Sequence, residues 1–250
     1  MKTSNLTLKC VQWIRHWFEN NGRDCNAVIG ISGGKDSTVT AMLCVEALGK
    51  DKVIGVLMPN GDQKDIEDSY KVVKTLGIRY FVHNIEDAVS STLNEMESND
   101  MVISQQTVIN LPPRIRMSTL YAYSQSLNGR VAETSNLSET ILSWCTLWGD
   151  NVGSFSPLGK LTVTEVKEIG YYLKLPKDLI DKAPADGLCG VTDEDKFGFS
   201  YEVLDKYIRG VEIPSAQIKD KIDEMYLKGK FKSNMVKIDT FDPHFKNIFN

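Results

Sequence analysis

The chain has 250 residues, 42% of them hydrophobic and 25% charged, proportions typical of a globular protein with one large core. Its net charge of −4 and its pI near 5.5 provide no basic surface for a nucleic-acid backbone, so we expect a small-molecule substrate and no nucleic-acid partner. No stretch reaches the length of a membrane span and the first residues lack the apolar core of a signal peptide, so the sequence predicts a cytoplasmic protein without a membrane partner.

The cysteines and histidines indicate no reactive or metal-binding cluster. The five cysteines are scattered and none forms a Cys-x-x-Cys pair, which argues against a disulfide framework and against a zinc site. The three histidines are equally far apart and no Ser or Cys nucleophile motif accompanies them, so a hydrolytic triad is not indicated. The chemistry of the chain is therefore expected to depend on other residue types.

Helix and strand patterns alternate over the first third of the chain. Helical spacing of apolar residues predicts a first helix from about Thr7 to Asn20, ended by Asn21-Gly22. The elements predicted after it are a strand that begins at Ala27, a helix closed by Gly49, a strand at Lys52–Met58, a helix at Lys64–Leu76, a strand at Arg79–His83 and a helix from Ile85. This order predicts one Rossmann-like α/β domain over residues 1–250, a doubly wound parallel sheet with helices on both faces.

The first strand runs into a glycine turn with the sequence Ser32-Gly33-Gly34-Lys35-Asp36-Ser37. Two glycines allow successive backbone N–H groups to face one anion, the serines add hydroxyls, and the following helix presents its positive end. The order of residues differs from that of a P-loop, and Asp36 supplies a carboxylate where a magnesium ion bridging phosphates needs one. The pattern predicts a polyphosphate site; the alternative is a glycine-rich βα turn that holds no ligand.

The remaining two thirds of the chain alternate polar loops with helices. The elements predicted there are a mobile loop at Glu97–Leu111, a helix at Arg114–Leu127 after Pro112-Pro113, a strand at Arg130–Glu133, a polar loop at Thr134–Glu139, a loop at Gly149–Gly153, a helix from the Thr162 capping box to Leu173, a loop at Pro184–Phe199 that could act as a lid, a helix from the Ser200 N-cap through Ile208 and a last helix at Ile218–Tyr226. The strand end near Thr134 should also reach the site.

An ordered set of motifs gives the chain a family resemblance. They are Ser32-Gly33-Gly34-Lys35-Asp36-Ser37, Pro59-Asn60-Gly61-Asp62-Gln63, Arg114-Ile115-Arg116-Met117, Thr134-Ser135-Asn136-Leu137-Ser138-Glu139, Trp148-Gly149-Asp150, Phe155-Ser156-Pro157-Leu158 and Thr192-Asp193-Glu194-Asp195. The first motif resembles the pyrophosphate loop of the N-type ATP pyrophosphatases, in the adenine nucleotide alpha hydrolase-like superfamily. The whole set, from about Trp13 to Lys232, resembles ammonia-dependent NAD synthetase.

The resemblance implies roles for particular residues of this chain. For ATP, it implies Gly30, Ile31, Ser32, Gly33, Gly34, Lys35, Asp36, Ser37, Met58, Gln63 and Thr134. For Mg2+, it implies Asp36 and Glu139, and for deamido-NAD it implies Arg114 and Lys232. Asp36 and Asp150 are the expected catalytic residues, Asp150 by positioning ammonium or accepting its proton. The residues alone leave alternatives open: a plain βα turn around Met58, a surface ion pair for Arg114 and a loop-capping aspartate at position 150.

The same resemblance implies an ATP-dependent amidation of nicotinic acid adenine dinucleotide (deamido-NAD) to NAD, with release of AMP and pyrophosphate. Only about 26 residues precede the first strand and the tail is short, so we expect no glutaminase domain and free ammonia as the nitrogen donor, unless a separate subunit delivers it. A homodimer is also implied. Two other functions stay open, namely an ATP pyrophosphatase with another acceptor and a nucleotide-binding sensor without turnover.

Several positions depart from the family pattern. Val163 stands where many members carry an ATP-binding lysine, and Ala185 stands where a serine or threonine is usual. Leu147 and Ser154 stand where some relatives direct lysine and aspartate toward the substrate. Nearby Lys160 is a candidate replacement for the missing lysine, so these departures predict altered affinity or substrate choice with the phosphate and metal positions intact.

Overall fold

The computed structural model describes residues 1–63, 65–182, 192–235 and 237–249. The strands are β1 (Asn26–Gly30), β2 (Val53–Leu57), β3 (Arg79–Val82), β4 (Gly129–Val131), β5 (Phe155–Ser156) and β6 (Asp239–Thr240). The helices are α1 (Thr3–Asn21), α2 (Lys35–Leu48), α3 (Ile66–Leu76), α4 (Glu86–Ser98), α5 (Gln105–Ser126), α6 (Leu137–Leu142), α7 (Val163–Tyr172), α8 (Lys177–Ile180), α9 (Asp193–Phe197), α10 (Tyr201–Ile208) and α11 (Ala216–Met235). None of these helices is long and apolar enough to cross a membrane.

The main sheet is parallel and has the strand order β3-β2-β1-β4. β1 pairs with β2 on one side and with β4 on the other, so the direction of winding reverses between β1 and β4. The parallel pairing continues outward, because Glu133 N–H donates to the Phe155 carbonyl at 2.9 Å and β5 pairs with β6. The crevice at this reversal, outside the carboxyl ends of β1 and β4, is where ligands of such sheets bind.

Helices cover both faces of the sheet, as the alternation along β1 shows. Ala27 and Ile29 belong to a large core that includes apolar residues of α1, α2, α3 and α7. Val28 points to the opposite face and packs in a smaller core with Leu120 of α5 and Val131 of β4. Successive strand residues face opposite sides of the sheet, so this division confirms the predicted doubly wound α/β fold.

The segment before α5 differs from its prediction. A mobile loop at Glu97–Leu111 and a helix that begins at Arg114 were expected, but α4 continues to Ser98 and α5 begins at Gln105 and passes through both prolines. The Ser104 side chain caps this helix by accepting the Thr107 N–H at 3.1 Å. The prediction was wrong because it began the helix after Pro112-Pro113, on the ground that a proline lacks an N–H and usually breaks a helix.

Other polar stretches are more helical than predicted. α6 begins inside the predicted loop at Thr134–Glu139, because the Asn136 side chain caps it and accepts the Glu139 N–H at 3.1 Å. α9 lies inside the predicted loop at Pro184–Phe199 and begins at the Thr192 capping box. The part of that loop before Thr192, with Ala185, lies outside the described residues, so its role as a lid stays a prediction. The last helix is longer than predicted and spans Ala216–Met235.

Hydrogen bonds and one partly buried ion pair join the helices around the site. Asp205 of α10 accepts the Ser138 hydroxyl at 2.5 Å and the Thr164 N–H at 2.7 Å, which connects α10 to α6 and α7. Arg209, which follows α10, forms a two-point ion pair with Glu165 of α7, with donor–acceptor distances of 2.8 and 2.6 Å. A two-point ion pair of this kind fixes the orientation of the two side chains as well as the distance between them. Together with the hydrogen bonds of Asp205, it holds α6, α7 and α10 as one unit.

Candidate active site

The loop between β1 and α2 has the geometry of an anion cradle. Gly33 has φ +78°, and a Cβ there would lie 2.6 Å from the Cβ of Asp68 and 2.9 Å from the Ser69 amide nitrogen, so only glycine fits. The Ser32 and Ser37 hydroxyl oxygens are 3.2 Å apart, and the Gly34 N–H donates to the Ser32 hydroxyl at 3.3 Å. The loop is thus preformed at the N-terminus of a helix of 14 residues.

Asn136 joins the two carboxylates predicted to hold the metal. Its side chain is fully buried, its Nδ2 donates to Asp36 Oδ1 at 3.0 Å, and its Oδ1 accepts the Glu139 N–H at 3.1 Å. Glu139 Oε2 in turn accepts the Asn136 N–H at 3.2 Å. Burial and the neighbouring Asp36 charge raise the pKa of Glu139 well above its ordinary value. A pair of carboxylates beside a phosphate cradle fits the way in which proteins hold Mg2+ together with substrate phosphates.

Lys35 lies in the same cluster and is only 3% exposed. Its ammonium is 2.8 Å from Asp36 Oδ2 and lies over the ring of Tyr201, 5.9 Å from the ring centroid. Burial by itself would lower the pKa of this ammonium, but the charges of Asp36 and Glu139 outweigh that effect and raise the pKa above its ordinary value. Among the described residues, no group of three or more His, Cys, Asp and Glu side chains is arranged to hold a metal ion.

Glu133, at the carboxyl end of β4, is a buried acid that the sequence did not single out. Its Oε1 accepts the Ser135 N–H at 2.7 Å and its Oε2 accepts the Ser156 hydroxyl. Burial raises the pKa of Glu133 to about 7, although both hydrogen bonds oppose this rise. The one available signal was its place at a strand end directly before Thr134, where a carboxylate adjoins the predicted site.

Asp150, Arg114 and Lys232 meet around the loop that follows α6. Arg114 Nε donates to the Leu147 carbonyl at 3.2 Å, and Lys232 Nζ donates to the Ser143 and Cys145 carbonyls at 3.0 and 2.7 Å. Asp150 keeps part of its surface in contact with solvent, while its carboxylate lies among these groups and its Oδ1 accepts the Thr146 N–H at 2.7 Å.

The surroundings of Asp150 raise its pKa above the ordinary value of an aspartate. Desolvation by the surrounding protein raises its pKa to about 6, against the opposing charges of Lys232 and Arg114. The structure thus brings together the three predicted substrate and catalytic residues, which are far apart in the sequence. An aspartate that titrates near neutral pH is suited to exchange a proton with a small amine.

The other predicted ATP-binding residues lie at the same edge of the sheet. The Met58 carbonyl accepts Arg116 Nε at 2.9 Å, Gln63 donates to Asp65 at 2.7 Å, and Thr134 follows β4. Val163 is buried in the core between α6 and α10, while Lys160 is held by Asp242 at 2.6 Å. An ion pair therefore already holds the Lys160 ammonium, which argues against the hypothesis that Lys160 replaces the lysine missing from position 163.

Comparison with known proteins gives consistent matches over nearly the whole chain. A family model described as NAD synthase matches residues 6–238. The NH(3)-dependent NAD(+) synthetase of Pyrococcus furiosus is 38% identical over 80% of this chain and 77% of its own length. The enzyme of the same name from Finegoldia magna is 34% identical over 97% of this chain and 98% of its own length. A solved structure, the NMN synthetase from Francisella tularensis, has a TM-score of 0.85 and 30% identity, covering 98% of this chain and 100% of that chain.

Replacing Glu133 with glutamine should change how stability depends on pH. The folded state holds the Glu133 proton up to about pH 7, whereas the unfolded state releases it near 4.5. Between these values the folded state binds more protons, so the free energy of unfolding falls as the pH rises. Glutamine does not titrate, its carbonyl oxygen can accept the Ser135 N–H, and its amide nitrogen can donate to the Ser156 hydroxyl oxygen. Glu133→Gln should therefore gain roughly 3 kcal/mol relative to the wild type between pH 4.5 and pH 8.

Urea unfolding of both proteins across this pH range measures the difference. Glu97→Gln, at an exposed glutamate in α4, is the matched control and should leave the pH dependence unchanged. A difference between Glu133→Gln and the wild type that is constant with pH would contradict the buried, proton-holding state of Glu133.

Proposed function

The chain belongs to the NAD synthase family, and we propose that it is an ammonia-dependent NAD synthetase that converts deamido-NAD, ATP and ammonia into NAD, AMP and pyrophosphate. The observation that carries this proposal is a preformed phosphate loop beside the Asp36 and Glu139 carboxylates, which accept hydrogen bonds from the side-chain amide and the backbone N–H of Asn136. A βα turn without a ligand has no need of two neighbouring carboxylates at its mouth.

The first step activates the nicotinate carboxylate. One of its oxygens attacks the α-phosphorus of ATP, the bond to the β-phosphate bridging oxygen breaks, and pyrophosphate leaves. The amides and hydroxyls of residues 32–37 would hold the departing pyrophosphate, and Arg114 would hold an anionic group of the dinucleotide. Hydrogen-bond donors aimed at developing charge are worth about 3–4 kcal/mol of barrier each, because they are already oriented when the charge appears.

Asp36 and Glu139 would hold a magnesium ion at the phosphates. Bound there, Mg2+ would supply charge neutralisation for the β- and γ-phosphates. Asn136 donates to both carboxylates, to Asp36 from its side chain and to Glu139 from its backbone N–H, so the protein contributes their orientation before the nucleotide arrives.

The second step forms the amide. Ammonia attacks the carbonyl carbon of the acyl adenylate, the bond from that carbon to the AMP phosphate oxygen breaks, and the nitrogen loses a proton. Asp150 is the proposed acceptor of this proton, or of the proton that ammonium must lose before it attacks, because its pKa near 6 leaves it ionised at neutral pH. Lys232 and Arg114 hold the carbonyls of its loop and so keep Asp150 in place.

The reaction is tested by assaying NAD, AMP and pyrophosphate together in mixtures with deamido-NAD, ATP, Mg2+ and ammonium. We expect equal amounts of the three products, and Asp36→Asn should lower kcat by about 100-fold or more because an amide keeps the volume but loses the charge. Asp150→Asn should instead raise KM for ammonium with little change in KM for ATP. Asp51→Asn, at an exposed aspartate between α2 and β2, serves as the control. Equal kcat values for Asp36→Asn and the control would exclude the metal role.

A smaller acceptor is a second candidate substrate. The Francisella tularensis protein, which matches this chain over its whole length, is named an NMN synthetase. NMN is the amide of nicotinic acid mononucleotide, which shares the nicotinate and its ribose phosphate with deamido-NAD but lacks the AMP half. Leu147 and Ser154 carry no charge where the resemblance implies lysine and aspartate toward the dinucleotide. This chain therefore has fewer charged contacts that could favour deamido-NAD over nicotinic acid mononucleotide.

Restoring the two charges should favour the dinucleotide selectively. The double variant Leu147→Lys with Ser154→Asp should raise kcat/KM for deamido-NAD by about 10- to 100-fold, since a charged hydrogen bond is worth about 1.5–3 kcal/mol. The value for nicotinic acid mononucleotide should stay the same. Equal changes for both substrates would show that positions 147 and 154 do not contact the AMP half of deamido-NAD. A wild type with a higher kcat/KM for nicotinic acid mononucleotide than for deamido-NAD would support the second function.

We also propose that the chain forms a homodimer, through exposed apolar residues of the segment between α4 and α5 and of the first turns of α5. Met101, Val102, Val108 and Ile109 are all exposed there, Val102 to 92%. Apolar side chains clustered in this way favour burial against a second protein surface.

Sedimentation velocity measures this association. The wild type should sediment as a dimer, and Val108→Glu with Ile109→Glu should sediment as a folded monomer because the charges would be buried without partners. The control is Val211→Glu with Ile213→Glu, two exposed apolar residues after α10, which should remain dimeric. A dimer that persists in the first double variant would place the interface elsewhere.

A further inference from the structure

Lys35 is a charged side chain at a position that helix electrostatics disfavours. It is the first residue of α2, where the free N–H groups concentrate positive charge and cations are destabilising. Its side chain is also buried, and a buried ammonium persists only where negative groups compensate for the water it has lost. A residue that breaks two local rules in this way is expected at functional positions.

The groups around Lys35 are the carboxylates of the proposed metal site. Its Nζ lies 2.8 Å from Asp36 Oδ2, although neighbouring residues of a helix do not face each other, so the side chain folds back toward the site. Glu139 and Asp193 add negative charge close to the ammonium. The ring of Tyr201, from α10, covers it from another side. The ammonium therefore lies where positive charge is needed when no metal is bound.

We propose that Lys35 is an internal counter-cation, which neutralises the Asp36 and Glu139 carboxylates while ATP is absent, so that a divalent metal binds tightly only together with the nucleotide. This inference rests on the metal role proposed above for those two carboxylates. It goes beyond that role because it makes a residue of the phosphate loop responsible for the order in which metal and nucleotide bind.

The Lys35 ammonium and a divalent metal ion compete for the same carboxylates. Without ATP, a divalent ion that reached Asp36 would meet an ammonium already paired with the same carboxylate at 2.8 Å and would be repelled by it. When a triphosphate occupies residues 32–37, its oxygens offer the ammonium new partners within the same loop. The carboxylates are then released for the metal. Metal and nucleotide must therefore strengthen each other's binding by the same factor.

Titration of the nucleotide-free protein with Mn2+, followed by the electron paramagnetic resonance of the free ion, tests this role. Lys35→Met keeps the length of the side chain and removes its charge, and it should bind Mn2+ roughly tenfold more tightly than the wild type, in the usual range of coupling between sites. Lys206→Met removes a half-buried surface lysine of α10 and the same net charge, and it should bind Mn2+ as the wild type does.

Thermal unfolding gives a second measurement that does not depend on activity. In EDTA, Lys35→Met should melt at a lower temperature than the wild type because Asp36 and Glu139 are left without a counter-charge. Added Mn2+ should restore most of this loss by replacing the missing charge. If Lys35→Met does not fold in EDTA, refolding in Mn2+ and the polar variant Lys35→Gln provide the same comparison.

The outcomes separate the two proposals. Unchanged Mn2+ affinity in Lys35→Met, or a fall in melting temperature that Mn2+ does not restore, would overturn the role of Lys35 and leave it a structural ion pair. Asp36→Asn in the same titration tests the metal site itself. If wild-type Mn2+ binding persists in Asp36→Asn, both proposals fail; if it is lost while Lys35→Met matches the wild type, only the Lys35 inference fails.

Discussion

The amide of Asn136 forms the contact on which the geometry of the site depends. Its nitrogen donates to Asp36 at the start of α2 and its oxygen caps α6 by accepting the Glu139 N–H. The two helices follow β1 and β4, the neighbouring strands between which the winding of the sheet reverses. Asn136 thereby ties the phosphate loop to the second half of the chain, and its backbone N–H, which donates to Glu139 Oε2 at 3.2 Å, holds the second carboxylate. A half-satisfied amide at this depth would be costly, so the arrangement is held closely.

The parts of the fold that local signals determine were predictable from the sequence. The apolar run and the glycines of residues 27–37 specify a strand, a turn and a helix within one short stretch, and the structure has all three. The prediction failed at α5, where a strong local signal, Pro112-Pro113, gave way to a helix. Carbonyls four residues before each proline lose their helical partners, a cost that packing of Leu120 and its neighbours against the sheet offsets.

The residues of the site likewise divide into those that the sequence indicated and those that only the structure revealed. The sequence indicated Asp36 from its motif, and the resemblance added Glu139, Asp150, Arg114 and Lys232, which the structure brings to one edge of the sheet. The sequence did not reveal that Glu133 is a buried acid, because its partner Ser156 lies on β5, beyond a helix and a loop. Nor could a motif show that Lys35 faces a carboxylate from α6. Burial and pairing arise from contacts between distant segments, which no local pattern encodes.

The last strand has a consequence for how the chain matures on the ribosome. Asp239 of β6 accepts the indole N–H of Trp17 at 3.0 Å, and these residues are 222 positions apart. β6 also pairs with β5, whose Phe155 stacks on the same indole. At about 5–20 residues per second, translation delivers Asp239 roughly 10–45 s after Trp17 has been made. The first helix therefore leaves the ribosome long before its final partner exists, and an incomplete chain must keep this aromatic surface from aggregating in the interval.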